Sequence, residues 1–117
     1  MDKVSNAVEL MKGAHSCSQS VLCAFCEDAG LTFEDAEKIA APYSGGRKIK
    51  CGAVCAAEIV LQNKFGAAAE EKISEFEQKF EKKVGALNCK DIRRNNLRPC
   101  IGCVEDSATI LSTMLAN

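Results

Sequence analysis

The chain has no tryptophan, a single tyrosine (Tyr43) and a single histidine (His15). So few rings cannot build the aromatic platform on which nucleic-acid bases stack. Charge of one sign is lacking too: Lys and Arg total 15 against 16 for Asp and Glu, a formal net charge of −1, which excludes a general polyanion-binding surface. No apolar run approaches the length of a membrane span. The opening residues Met1 to Leu10 form an amphipathic pattern with charges spread through it, and so do not read as a secretory signal. Attached haem is excluded because neither Cys-x-x-Cys is followed by histidine; Glu27 and Val104 stand there. No serine or carboxylate constellation of a hydrolase stands out, and no strand pattern, repeat or low-complexity linker is present. These absences predict a cytoplasmic protein with neither nucleic acid nor membrane as partner.

What the chain has in excess is cysteine, eight in 117 residues. A chain of this length makes one domain, residues 1–117, with a core large enough to fold without staples. In a reducing compartment so many thiols point to ligands or redox groups rather than to structural disulfides.

Helical periodicity runs almost throughout. Val4, Val8 and Met11 stripe a first helix ended by Gly13. Ser16 with Gln19 makes a capping box for a second helix, read through Val21, Leu22, Phe25 and Cys26 to Gly30. Thr32 and Asp35 open a third, which ends before Pro42, and a basic loop with Arg47, Lys48 and Lys50 leads to Cys51. Residues 51–65 are apolar nearly all round, with Glu58 the only charge before Lys64, as suits the centre of a bundle. Residues 69–84 are two-sided, with Ile73, Phe76, Phe80 and Val84 on one stripe. Residues 87–99 read as an ordered loop with one helical turn after Asn88, and a last helix follows Pro99. The expected fold is an all-α bundle of about five to six helices around the central apolar helix 51–65.

Four cysteines, Cys17, Cys51, Cys89 and Cys100, fall where helices begin. There, free backbone N–H groups and the helix dipole stabilise a thiolate. Four thiolates from four separate segments suit an iron–sulfur cluster, whereas zinc modules build their paired cysteines into short hairpins. Arg47, Lys48, Lys50, Arg93, Arg94 and Arg98 flank these thiols and could balance an anionic cluster, Lys50 and Arg98 being nearest in sequence to Cys51 and Cys100. Cys23 and Cys26 read as core residues of the second helix. Cys55 and Cys103, one turn beyond Cys51 and Cys100, read as core, with roles as spare ligands or resolving thiols left open. His15 reads as an exposed turn residue, with a ligand role as its alternative, and Glu58 as a buried acid needing a basic-loop partner.

Cys17-Ser18-Gln19-Ser20-Val21-Leu22, a Gly-Gly loop running into Cys51-Gly52-Ala53-Val54, then isolated Cys89 and Cys100 before a final helix, resemble the C-GCAxxG-C-C family of redox-active proteins. The resemblance covers residues 12 to 115 and implies that the family's four cysteines are Cys17, Cys51, Cys89 and Cys100. It implies redox chemistry, and kinship with the cysteine region of split-Soret cytochromes, for which an iron–sulfur cluster has been proposed. The leading expectation is a redox protein holding a two-iron, two-sulfide cluster on those four residues and passing electrons to an unidentified partner protein. A thiol–disulfide oxidoreductase using Cys51 and Cys100 is the first alternative. A structural zinc module for interaction is the second. Whether the chain is an enzyme or an electron carrier, and its oligomeric state, stay open.

Overall fold

The computed structural model describes residues 2–46 and 49–116, so Arg47 and Lys48 of the basic loop lie outside the described residues. It is all-α: α1 (Lys3–Lys12), α2 (Cys17–Ala24), α3 (Phe33–Ala40), α4 (Gly52–Phe65), α5 (Ala69–Val84), α6 (Cys89–Arg94) and α7 (Cys100–Ala116), with 3-10 turns at Ala41–Gly46 and Gly66–Ala68. Six of these make the bundle, and α6 is the short helix foreseen after Asn88. Among the described residues the only β-type pairing is an isolated antiparallel bridge between Lys50 and Asn88.

The helix starts follow their sequence signals. Asp2 caps α1 by accepting from the Ser5 N–H, and Thr32 caps α3 by accepting from the Asp35 N–H. Ser16 and Gln19 form the reciprocal capping box of α2. Helix α2 is shorter than its periodicity predicts. Beyond Ala24 the Cys26 N–H turns to the Cys23 carbonyl at 3.4 Å, a tighter bond than the helical one, and Gly30 at φ 70° completes the stop. The basic loop also differs from expectation, because Pro42 continues from α3 into a 3-10 turn that covers Tyr43 and Ser44.

Helices α2 and α4 pack on each other at the centre. Around them α2 also meets α1, α3 and α7, while α4 also meets α5 and α7. The fully buried side chains Leu22, Phe25, Leu61, Phe76, Phe80 and Leu111 fill the space between. Small residues let α4 sit this deep: Ala53, Ala56 and Ala57 are wholly buried, and the Ser107 hydroxyl of α7 donates to the Ala53 carbonyl at 2.9 Å. Burial of this apolar surface, at about 25 cal/mol per Å², is the main force holding the layers together. Helix α5 buries Phe76, Phe80 and Val84; of its charged residues Lys79 pairs with Glu75 at 2.9 Å within the helix, while Glu77 and Lys83 reach Lys50 and Asp106 of other segments.

Candidate redox centre of cysteines around Arg93

All four cysteines of the sequence pattern stand at helix starts. Cys17, Cys89 and Cys100 are the first residues of α2, α6 and α7, and Cys51 is the N-cap of α4. Backbone pairing sets two of them side by side: the Cys51 N–H donates to the Leu87 carbonyl at 2.8 Å, and the Cys89 N–H donates to the Ile49 carbonyl at 3.0 Å. Making that second bond puts Ile49 at φ 74°, a backbone region costly for a β-branched residue. Cys17 is brought in by close approach of α4. A Cβ at Gly52 would lie 2.5 Å from Cys17 Sγ and 2.9 Å from the Tyr43 carbonyl oxygen, so only glycine lets the start of α4 rest against that sulfur.

Arg93 ties the group together. Its Nη2 lies 3.9 Å from Cys100 Sγ, and its charge interacts with Cys17, Cys51, Cys89 and Cys100 alike. One cation thus contacts Cys100 and acts electrostatically on the thiols of three other segments. The lysine and arginine singled out from sequence proximity are used elsewhere. Lys50 turns to Glu58 at 3.1 Å and to Glu77 at 2.6 Å. Arg98 lies across Gly102, with its Nε 3.0 Å from the Asp106 carboxylate and Nη2 3.3 Å from Glu105. Adjacency in sequence failed as a guide because a residue at a helix start and its predecessor point in different directions, whereas Arg93 reaches the thiols from within α6.

The thiols respond to these surroundings differently. The Cys51 thiol is lowered to about 7: a hydrogen bond from Cys103 and the N–H groups of Ala53 and Val54 stabilise its thiolate, Arg93 helps, and burial opposes them. Cys103 is pushed up by that same hydrogen bond and by burial. Cys89 is raised by burial, with Arg93 pulling the other way. Cys55 and Cys23 are each raised to about 11, burial first, and behave as core thiols. Cys26 packs half-buried on the core just past the end of α2.

Two readings of single residues change. Cys103 is buried as expected of core, yet it is also the partner of Cys51. His15 is not an exposed turn residue, because its ring bonds the Glu37 carboxylate at 2.8 Å and meets Phe33 edge-on. No described contact brings His15 to the cysteines. Glu58 has the basic-loop partner foreseen for it in Lys50, and also shares a hydrogen bond with Glu77, which no sequence signal foretold; burial raises Glu58 to about 7. Among the described residues no three His, Cys, Asp or Glu side chains are grouped to hold a single metal ion.

The family model described as "Putative redox-active protein (C_GCAxxG_C_C)" matches residues 15–114. The chain belongs to this family. No curated protein and no solved structure matches it. The match spans all four helix-start cysteines together with Arg93. Membership makes the protein one of a redox-active family, and among its described residues no helix is long and apolar enough to cross a membrane.

Proposed function

We propose that the protein carries an iron–sulfur cluster, of the two-iron, two-sulfide kind, on Cys17, Cys51, Cys89 and Cys100, and passes electrons to a partner protein. The observation that supports this reading is that four thiols at four separate helix starts all interact electrostatically with one arginine, with backbone pairing setting Cys51 beside Cys89. The donor set fits such a group. All four are sulfur, each iron of such a cluster takes two thiolates, and the missing side chain at Gly52 leaves the start of α4 open to the Cys17 sulfur. The bound cluster would supply one-electron transfer. The chain's own part is to hold the thiols, to direct N–H groups at the Cys51 sulfur, to offset negative charge with Arg93, and to keep water off one side with the apolar body of α4. A structural zinc module has less support, because such modules set paired cysteines in short hairpins, whereas these four stand at four separate helix starts.

A second reading rests on the lowered Cys51 thiol and on Cys103, whose thiol is driven the opposite way by their interaction. In a thiol–disulfide exchange the Cys51 thiolate would attack one sulfur of a substrate disulfide and release the first substrate thiolate. Cys103, giving up its proton, would then attack the Cys51 sulfur of that mixed disulfide and displace the second, leaving a Cys51–Cys103 disulfide and a substrate reduced by two electrons. The partner of Cys51 in this reading is Cys103, the leading cause of its lowered thiol, rather than Cys100.

Protein purified without oxygen decides between them. Iron and acid-labile sulfide in near-equal amounts with a visible charge-transfer spectrum supports the cluster. Metal-free, colourless protein with a reversible Cys51–Cys103 disulfide overturns it in favour of the thiol enzyme, and stoichiometric zinc overturns both.

A further inference from the structure

A cleft of about 380 Å³ opens beside the thiols, lined by Ile92, Arg93, Asn96, Arg98, Pro99 and Cys100. Two guanidinium groups face it, and they differ in what they already hold. Arg98 is neutralised by Asp106 and Glu105. Arg93 is exposed, touches Cys100 Sγ, and among the described residues has no carboxylate within ion-pair distance. The cleft therefore combines a half-buried sulfur with a solvent-facing cation whose described electrostatic partners are thiols. A planar guanidinium presents paired donors that match a carboxylate.

We infer that this cleft is a recognition site for a carboxylate-bearing redox partner, with Arg93 as the group that binds the carboxylate and Cys100 as the sulfur beside it. The site would attract anions although the protein as a whole carries a net charge of −1, because a local field, not the total, governs approach to a cleft. This deepens the redox reading by naming the chemical class that the site accepts, and it is independent of which cofactor the thiols hold.

The test uses the full chain, reduced and metal-free, and two disulfides of opposite charge: dithiobis-nitrobenzoate, which is anionic, and cystamine, which is cationic. In both, the Cys100 thiolate attacks one disulfide sulfur, forming a mixed disulfide and releasing the other half as its thiolate. The adduct at Cys100 is timed by mass spectrometry of its peptide. Arg93 also affects the nucleophilicity of the thiol, but that influence is common to both reagents and cancels in the ratio of their rates. At about 0.01 M salt, where screening reaches only beyond about 30 Å, Arg93→Gln is expected to lower the anionic-to-cationic ratio roughly threefold or more. Arg93→Lys, which keeps the charge but not the paired donors, should keep only part of it, and salt should shrink the wild-type ratio. Arg94→Gln, an exposed neighbour on the same helix, should leave it unchanged. A ratio that is the same in wild type, Arg93→Lys and Arg93→Gln overturns the inference, as does an equal fall in Arg94→Gln, which would reduce the effect to general surface charge. Because no iron enters the assay, a failed cluster assignment and a failed recognition site give separate results.

Discussion

Cys51 and Cys55 stand one turn apart at the start of the same helix, both buried, and their thiols are driven in opposite directions: Cys51 down to about 7 and Cys55 up to about 11. Burial disfavours the thiolate at both sites. What separates them is that Cys51 stands at the N-cap, where Cys103 from α7 lowers its thiol most, with help from the first-turn N–H groups of Ala53 and Val54 and from Arg93 of α6. Cys55 lies where the helix has already used its N–H groups, and Glu58 adds a like charge. A single helical turn divides reactive sulfur from packing.

The largest expected effect breaks that division outright. Cys51→Ser, like the same change at Cys17, Cys89 or Cys100, should lose most of the iron bound by anaerobically prepared protein. Cys55→Ala should keep it and lose only on the order of 1 kcal/mol of stability through the small cavity it leaves. Iron analysis alongside urea denaturation checks both, and equal iron loss in the two groups would erase the distinction drawn here.

Gly52→Ala tests the approach of α4 to the Cys17 sulfur. The added Cβ meets backbone at the Tyr43 carbonyl as well as sulfur, so relaxation requires α4 itself to move. A loss of about 1 to 3 kcal/mol is expected, with weaker iron retention at temperatures where the variant is still folded. Unchanged stability would mean the packing at this point is looser than the 2.5 Å separation implies.

Cys103→Ala sharpens the comparison by removing the leading cause of the lowered Cys51 thiol. In metal-free protein the midpoint of Cys51 alkylation, expected near 7 in the wild type, should rise towards the ordinary thiol range. Alkylation at neutral pH should therefore slow, as the thiolate fraction falls. Iodoacetamide rates against pH, read at the Cys51 peptide, measure it.

The smallest effect lies on the outer side of α4, where Glu58 and Glu77 share Lys50. Burial holds the Glu58 carboxyl at about 7 against 4.5 for an ordinary glutamate, so between those values the folded protein keeps a proton that the unfolded chain has released. Stability from this group is accordingly present at low pH and lost as pH rises through about 7. Glu77, lowered by its hydrogen bonds to Glu58 and Lys50, acts in the opposite sense below the ordinary glutamate range. Glu58→Gln should flatten the pH dependence of denaturation above pH 4.5 by on the order of 1 kcal/mol.

Much of this was readable along the chain. The capping box at Ser16, the stripe of α5 and the apolar face-to-face character of 51–65 each depend on residues within a few positions of one another, and each element formed within a residue or two of its expected ends. Helix α2 was the exception, since the apolar residues past Ala24 continue the pattern while the backbone turns away. The helix-start positions of Cys17, Cys51, Cys89 and Cys100 were readable for the same local reason. The roles of Arg93 and Cys103 were not, because their partners are distant in sequence, and a hydrogen bond between Cys51 and Cys103 leaves no mark on the spacing of either.

The sequence by itself determined where helices begin, which face of each is apolar, and that four cysteines occupy their starts, because caps, periodicity and terminal N–H groups are local physics. Only the tertiary structure decided which charge meets the thiols, which sulfur partners Cys51, and that Lys50 and Arg98 serve carboxylates instead. Those choices depend on how the helices of the described residues pack, and packing is set by the burial of surface contributed by many distant segments at once.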